Sequence, residues 1–244
     1  MIATQTDPFD GARRLNAVQQ RIADAARGSG RAVDAVSLLA VSKTFPIEAV
    51  DAIADAGQHA FGENYAQEGI EKAVLRPDLE WHFIGPIQSN KTRGIAEHFD
   101  WVHTIDRLKI AERLSAQRPA DKPPLQVCVQ VNISGEFSKS GCTPDTALAL
   151  CQTVAALPRL TLRGLMAIPE ATADPITQHR HFAALRQLMA EINATDPSLQ
   201  LDTLSMGMSD DLEAAIAEGA TIVRVGSAIF GQRTYTHTPA STEL

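Results

Sequence analysis

Lys43 is the residue of this sequence that is best placed to do chemistry. It directly follows the apolar run 36–42 and precedes Pro46, a residue that commonly opens a helix, so we expect it where a strand gives way to a helix. Ligands bind at this carboxyl end of the strands in α/β sheets and barrels. Partial withdrawal from water lowers the pKa of a lysine, and its neutral amine can then form a Schiff base with an aldehyde. In the other interpretation, the aliphatic stem of Lys43 packs on the rim of the sheet or barrel while its ammonium group stays in water.

Two later segments combine glycine with hydroxyl groups in a way that suits an anion. They are Ser-Met-Gly-Met-Ser at 205–209 and Arg-Val-Gly-Ser at 224–227. Glycine lets backbone amides approach an anion closely, serine hydroxyls donate to its oxygens, and a helix that starts near Ser209 adds partial positive charge. In barrel enzymes, the loops after strands seven and eight often bind phosphate. A helix cap explains Ser209 equally well, and Arg224 could belong to an isolated ion pair.

If Lys43 and these two segments share one barrel mouth, they supply two different attachments for one molecule. A lysine that binds an aldehyde and a phosphate cup across the barrel are the attachments that pyridoxal 5'-phosphate requires. The sequence therefore indicates this cofactor.

Other polar residues give weaker indications. His179 and His181 are two apart on a predicted helix and face different sides, so they make a poor metal pair and are better interpreted as surface histidines. His82 follows a tryptophan in an apolar strand and could be a satisfied core histidine or point into the mouth. Glu63 could be a general base, although a cap or a salt-bridge partner suits it better. The sequence has no GxxxxGK[ST] loop, and neither Ser205 nor Ser209 lies in a GxSxG elbow.

The elements that must position these residues alternate along the chain. Apolar spacings of three and four from Leu15 to Ala25 predict an amino-terminal helix that ends near Gly28. About eight strands follow, each separated from the next by a helical pattern or by room for one: 36–42, 60–62, 81–84, 101–105, 125–132, 162–168, 203–205 and 221–225. This α/β pattern predicts a single (β/α)8 TIM barrel with an extra amino-terminal helix, and a doubly wound open sheet is the alternative. We expect the barrel domain over 1–234 and a frayed tail over 235–244.

Composition places the chain among ordinary globular proteins. Of its 244 residues, 44% are hydrophobic and 21% are charged, with no apolar run approaching the ~18 residues of a membrane span. The first residues lack a basic segment before an apolar core, so we expect no signal peptide and a cytoplasmic location. A net charge of -7 argues against nucleic-acid or anionic membrane partners. The three cysteines, Cys128, Cys142 and Cys151, form no CxxC pair and are interpreted as reduced thiols.

Taken together, these segments resemble the YggS/PROSC family of pyridoxal phosphate homeostasis proteins, whose fold is similar to the barrel domain of alanine racemases. The match runs over nearly the whole chain. It rests on LAVSK at 39–43, FGENY at 61–65, WHFIG at 81–85 with QSNK at 88–91, VN at 131–132, GLM at 164–166, LSMGMSD at 204–210, and VRVG at 223–226 with IFG at 229–231.

The resemblance implies a role for each of eight residues. Lys43 would carry the cofactor as a Schiff base, Arg224 would face the pyridine nitrogen, and Asn64 would line the pocket. Ser209 would help to bind the phosphate or cap its helix. The remaining four would contact the phosphate through hydroxyl or backbone groups: Ser205, Met206, Gly226 and Ser227. Many relatives would have threonine at Ser227, and serine keeps the hydroxyl.

Whether a bound cofactor would make this protein an enzyme depends on a second acid–base group. A cationic arginine at the pyridine nitrogen disfavours protonation there and makes the ring a weaker electron sink. Racemisation needs a group on each face of the substrate, and Lys43 can serve one. By resemblance to alanine racemases, a tyrosine from a carboxyl-terminal β domain would serve the other face of the substrate. We expect no such domain here, since this sequence ends before it. Its tyrosines are Tyr65 and Tyr235.

We therefore predict a non-catalytic protein that buffers, protects or delivers pyridoxal 5'-phosphate and so affects amino-acid and keto-acid metabolism. Its partners would be the cofactor and, transiently, enzymes that depend on it. A monomer is expected because the racemase-like dimer contact is missing. The alternatives are an amino-acid racemase of low activity and a phosphate-binding barrel enzyme without pyridoxal.

Overall fold

Eight parallel strands close into a barrel in chain order in the computed structural model, which describes residues 8–136 and 140–231. The strands are β1 Ser37–Val41, β2 Ala60–Glu63, β3 Glu80–Phe83, β4 Trp101–Ile105, β5 Leu125–Gln130, β6 Leu160–Met166, β7 Thr203–Ser205 and β8 Ile222–Val225. β1 also pairs with β8, with Leu39 opposite Arg224 and Ala40 opposite Val225. The first and last strands are therefore neighbours, and their carboxyl ends lie side by side.

Helices surround the barrel and connect its strands. They are α1 Pro8–Gly28, α2 Ile47–Asp55, α3 Ala66–Leu75, α4 Thr92–His98, α5 Leu108–Gln117, α6 Pro144–Ala155, α7 Pro175–Thr195, α8 Leu212–Ala217 and α9 Ser227–Phe230, with a short 3₁₀ helix at Val33–Ala35. α1 precedes the first strand and packs against α2, α8 and α9. It therefore lies outside the place where β1 meets β8.

The apolar core has two layers because successive strand residues point to opposite faces. The larger layer lies between strands and helices and includes Phe61, Trp81 and Phe83. A small cluster fills the inside of the barrel, with Leu39, Val41, Ile84 and Ile222 as its buried members. The residues of β3, β4, β7 and β8 that alternate with the outer layer include several buried polar groups: His82, His103, Ser205 and Arg224.

The predicted TIM barrel with an extra amino-terminal helix is confirmed, and the alternative open sheet is wrong because β1 and β8 are paired. The predicted strand over 125–132 is too long, since β5 ends at Gln130 and Val131 makes only an isolated bridge to Cys142. None of the helices in the described part of the chain combines the length and apolar character needed to cross a bilayer. The predicted boundary at residue 234 and the tail over 235–244 lie outside the described residues.

Candidate functional site

Lys43 lies in a tight turn between β1 and α2. The amide of Phe45 donates to the carbonyl of Ser42 at 3.1 Å, and Thr44 between them has a φ of 68°, in the left-handed region that a β-branched residue seldom occupies. Pro46 stands immediately before the first residue of α2 and has extended backbone. Lys43 therefore lies between a strand and a helix, as predicted, and the strained residue Thr44 directly follows it.

A buried ion cluster holds the backbone on both sides of Lys43. The Nζ of Lys72 donates to the Ser42 carbonyl at 2.9 Å and pairs at 2.7 Å with Glu63 and at 2.7 Å with Glu68. The Ser42 hydroxyl donates to Glu63 Oε1 at 2.7 Å. On the far side of the lysine, the amide of Thr44 donates to Glu68 Oε1 at 2.6 Å. Charge-assisted bonds of this kind are stronger than neutral ones, so they stabilise the left-handed turn.

Glu63 is thus a salt-bridge partner, one of the interpretations that its sequence position allowed. It is fully buried, and it does not line the cavity described below. Desolvation raises the pKa of Glu63, and the nearby Lys72 ammonium counteracts this rise. Lys72 was missed from the sequence, where its only signal is a Glu68–Lys72 spacing of four along α3.

Arg224 places a cation inside the barrel at the carboxyl end of β8. Its Nη1 donates to Ser205 Oγ at 2.8 Å and its Nη2 donates to the Ala167 carbonyl at 3.0 Å. Burial lowers the pKa of Arg224 to about 10, with the nearby Asp211 opposing the decrease. The guanidinium therefore remains charged at neutral pH. Its hydrogen-bond partners in the described part of the chain are neutral oxygens, unlike those of an isolated ion pair.

Close packing explains why both predicted phosphate segments contain glycine, since a Cβ at either position would lie too near a neighbouring atom. Gly207 has a φ of 92°, and a Cβ there would lie 2.5 Å from the Cβ of Ala215. A Cβ on Gly226 would lie 3.2 Å from the Val41 carbonyl of the neighbouring strand. Gly226 directly precedes α9, whose first amides have no carbonyl partner within the helix. These positions allow an anion to approach the backbone beside the end of β1.

One cavity of about 530 Å³ opens at this end of the barrel. Its volume lies within the range of about 300 to about 1,000 Å³ that is usual for small-molecule sites. The lining residues are Val41, Lys43, Phe45, Asn64, Ile84, Ile168, Met208, Ser209, Asp210, Arg224, Gly226, Ser227 and Gly231. The structure therefore brings together six of the eight predicted site residues: Lys43, Asn64, Ser209, Arg224, Gly226 and Ser227.

The other two predicted residues, Ser205 and Met206, are fully buried and do not line the cavity. The Ser205 hydroxyl accepts from Arg224 and is hydrogen bonded to His103 Nδ1 at 2.7 Å. Met206 packs in the outer core, and its amide donates to the Ile222 carbonyl at 3.1 Å. These groups are already engaged within the protein, so their predicted phosphate contacts stay predictions.

The cavity has the chemical features that pyridoxal phosphate needs. It combines an amine, a buried guanidinium, two serine hydroxyls and apolar walls formed by Val41, Ile84 and Ile168. The Oδ1 atom of Asn64 is buried and has no hydrogen-bond partner among the described residues. Because an orphaned buried acceptor is costly, this atom is suited to receive a donor from a bound molecule. The residues present therefore fit the cofactor.

Several cavity residues were not assigned from the sequence. Asp210 adds a carboxylate to the lining, and Phe45 stacks on Phe230 with ring centroids 5.1 Å apart. Asp210 belongs to the segment 204–210 that carried the family resemblance, but within that segment only Ser205, Met206 and Ser209 were predicted to contact the phosphate. No local pattern distinguishes Phe45 from an ordinary core residue, since its stacking partner is far away in the sequence.

The remaining candidates lie away from the cavity. His82 is a buried core histidine that contacts His103 and Glu80. His179 pairs with Glu218 at the surface, and the described residues include no cluster of His, Cys, Asp or Glu suited to a metal. Tyr65 is 54% exposed and lies outside the cavity lining, whereas Tyr235 falls beyond the described residues.

The three cysteines are free thiols, as expected. Cys128 and Cys151 are buried, and Cys142 is partly buried. Desolvation raises the pKa of Cys128 to about 12 and that of Cys142 to about 11, so neither is an activated nucleophile at neutral pH.

The fold and site define a barrel of the alanine racemase N-terminal domain type: the family model for that domain matches residues 14–234. A pyridoxal phosphate homeostasis protein of Pseudomonas aeruginosa is 60% identical over 226 residues, covering 92% of this chain and 96% of the relative. Its counterpart in Escherichia coli K12 is 52% identical over 231 residues, covering 93% and 98%. The chain belongs to the pyridoxal phosphate homeostasis protein family, which confirms the resemblance noted in its sequence.

A solved structure supports the same relationship. PipY of Synechococcus elongatus, determined with pyridoxal phosphate bound, is 38% identical and superimposes with a TM-score of 0.75. The match covers 86% of this chain and all of PipY. The barrel is thus shared with a relative whose structure contains the cofactor.

Proposed function

We propose that this protein binds pyridoxal 5'-phosphate in the cavity and holds it as a Schiff base on Lys43, as a carrier that buffers, protects or delivers the cofactor. The observation that carries the proposal is the meeting of Lys43, Arg224 and the Gly226–Ser227 segment in one cavity. A relative with bound pyridoxal phosphate and the names of the close relatives support it.

Each residue has a task in this proposal. The amine of Lys43 condenses with the aldehyde, and water leaves. The hydroxyls of Ser227 and Ser209 donate hydrogen bonds to the phosphate, and Gly226 lets the phosphate approach the start of α9. Arg224 donates to the ring nitrogen, where its positive charge disfavours a proton. Bound pyridoxal phosphate supplies an electron sink for amino-acid chemistry.

The carrier role is favoured over racemisation by the character of the lining. Arg224 limits the electron sink, and the only carboxylate that the described residues contribute to the lining is Asp210, which is exposed to solvent. Asp210 is also the observation that favours the second candidate, a racemase of low activity. In that case it would exchange a proton on one face of the substrate and Lys43 on the other.

Borohydride trapping tests the attachment. We expect the purified protein loaded with pyridoxal phosphate to be yellow, and reduction to fix the cofactor on the peptide that contains Lys43. Lys43→Ala should lose this adduct, whereas Lys109→Ala, an exposed lysine on α5, should keep it. An adduct of equal yield in wild type and Lys43→Ala would contradict the Schiff base on Lys43.

Deuterium exchange separates the carrier from the racemase. The loaded protein is incubated with L-alanine in heavy water, and deuterium at the alpha carbon is followed by NMR. We expect no exchange above that of free pyridoxal phosphate. Rapid exchange that Asp210→Asn abolishes would establish the enzyme and overturn the carrier.

The cytoplasmic location and the monomeric state belong to the same proposal, as do transient contacts with enzymes that need the cofactor. Size measurement of the full chain in solution checks the monomer, and a stable dimer would contradict it.

A further inference from the structure

Beneath the cavity, four polar side chains inside the barrel form a continuous series of hydrogen bonds that begins at Arg224. We call Ser205, His103, His82 and Glu80 the polar row. Ser205 Oγ lies 2.8 Å from Arg224 Nη1 and 2.7 Å from His103 Nδ1. His103 Nε2 lies 2.9 Å from His82 Nδ1, and His82 Nε2 lies 2.5 Å from Glu80 Oε1. The row therefore joins the cavity to the amino-terminal end of β3.

The carboxylate end of the polar row sets the direction of its hydrogen bonds when both imidazoles are neutral. An ionised carboxylate has acceptors only, so His82 donates from Nε2 to Glu80 and its Nδ1 accepts from His103 Nε2–H. His103 Nδ1 is then an acceptor and receives the Ser205 hydroxyl proton, while Ser205 Oγ accepts from Arg224, which has donors only.

The surroundings of the polar row support this arrangement. Ser205 and His103 are fully buried, and His82 is 3% exposed. Burial lowers the pKa of His103 well below its usual value, and its neighbours His82 and Arg224 act in the same direction. The hydrogen bond from His82 lowers the pKa of Glu80, which keeps this carboxylate ionised.

Packing also restricts the rings. His82 stacks on Trp101 with ring centroids 5.3 Å apart and ring planes at 3° to each other. The guanidinium of Arg163, which pairs with Asp202, lies 5.2 Å from the Trp101 ring centroid. Cys128 of β5 is a further titratable group near this part of the barrel, and its thiol is neutral because burial raises its pKa to about 12. A ring flip of His82 would break its bonds to both His103 and Glu80.

We propose that His103, His82 and Glu80 are positioning residues that hold Arg224 in one orientation toward the ring nitrogen of the cofactor, and so keep a proton off that nitrogen. This inference rests on the proposed function. Hydrogen bonds in series polarise one another, so the bond from Arg224 to Ser205 is strengthened by the acceptors behind it. Two of the five donors of the guanidinium are then engaged by Ser205 and Ala167, while Arg224 still lines the cavity.

The first test needs neither a variant nor a cofactor. Imidazole nitrogen NMR of the ligand-free, 15N-labelled protein reports the tautomer of each histidine. We expect His103 to be a neutral Nε2–H tautomer from about pH 6 to about pH 8, the range in which an ordinary histidine titrates, and His82 to carry its proton on Nε2 with Nδ1 unprotonated at about pH 8. A proton on Nδ1 of His103 in this range, or on Nδ1 of His82 at about pH 8, would overturn the polar row.

The second test follows the ring nitrogen itself, with pyridoxal phosphate labelled with 15N at that atom and loaded into the protein. In wild type we expect an unprotonated nitrogen whose chemical shift does not change over the same pH range. In His103→Phe, which keeps a ring but loses both hydrogen bonds, the shift should move toward that of the protonated form as pH falls. Ile222→Val is the matched control, since it loosens the barrel interior beside Ser205 but removes no hydrogen bond of the polar row, and it should behave as wild type.

Glu80→Leu gives a second way to break the row at its half-exposed end, where folding is least at risk. It should also make the ring nitrogen sensitive to pH, because His82 loses its terminal acceptor. Wild-type behaviour of the nitrogen in Glu80→Leu and in any folded His103→Phe would overturn the positioning role while leaving cofactor binding intact. A wild-type protein that takes up no pyridoxal phosphate would instead overturn the proposed function.

Discussion

Ser205 and Ser227 illustrate how two serines near one site can have different tasks. The Ser205 hydroxyl is buried between Arg224 and His103, whereas Ser227 lines the cavity at the start of α9. Both positions looked like phosphate ligands in the sequence. In the structure, Ser205 contacts Arg224 and His103, and of these two serines only Ser227 lines the cavity.

This difference leads to a prediction that separates affinity from spectrum. Ser227→Ala should raise the Kd for pyridoxal phosphate about tenfold, since a hydrogen bond to a charged group is lost, and should leave the visible absorption maximum unchanged. Ser205→Ala should shift the maximum by releasing Arg224 and change the Kd less. Titration followed by absorbance measures both quantities. Equal effects of the two substitutions on the Kd would contradict the roles assigned here.

At the scale of elements, the turn between β1 and α2 depends on α3. Lys72 reaches from α3 to the Ser42 carbonyl, and Glu68 from the same helix receives the Thr44 amide. The direction of the Lys43 side chain is therefore determined by a neighbouring β–α unit.

Removal of Lys72 tests this dependence. Lys72→Met leaves the buried Glu63 carboxylate without its cation, so we expect the free energy of unfolding to fall by about 3 kcal/mol. The double variant Lys72→Met/Glu63→Gln should recover part of the loss because the uncompensated charge is gone. Urea denaturation measures both, with Lys109→Met as the surface control. A loss below about 0.5 kcal/mol, the level of an ordinary surface substitution, would show that the cluster is not needed.

Much of the fold and site could be predicted because the signals were local. Strand patterns, the glycines after β7 and β8, and the lysine after β1 are each visible in a few consecutive residues. The polar row and the Lys72 cluster could not be predicted, since they depend on which residues of different strands lie opposite one another. His82 on its own allowed two interpretations, and only its contact with His103 decides between them.

At the scale of the whole molecule, a buried neutral histidine makes stability depend on pH. The pKa of His103 is lowered well below its usual value by burial, whereas in the unfolded chain it is about 6.5. Below that pH the unfolded state binds a proton that the folded state does not. The stabilising contribution is therefore complete above about pH 6.5 and is lost as the pH falls toward the lowered pKa.

We expect this loss to be measurable by comparison with His103→Phe. Once the pH is below about 6, the advantage of wild type over the variant should shrink by about 1.4 kcal/mol per pH unit, the value for one proton. Carboxylates such as Glu63, whose raised pKa acts in the opposite direction, are present in both proteins and cancel. Urea denaturation between about pH 5 and about pH 7 measures the difference. A constant difference would mean that His103 takes up a proton in the folded protein.

The pairing of β1 with β8 has a consequence for the biosynthesis of the protein. Lys43 and Arg224 come from strands at opposite ends of the described chain, and α1 packs on α8 and α9 through an apolar face that includes Leu15, Val18 and Ile22. A nascent chain on the ribosome cannot complete either arrangement until β8 has emerged. Until then, α1 has α2 to pack against but lacks α8 and α9, and the cofactor site is incomplete. Cofactor binding therefore follows release of β8 from the ribosome, and newly synthesised protein starts without cofactor.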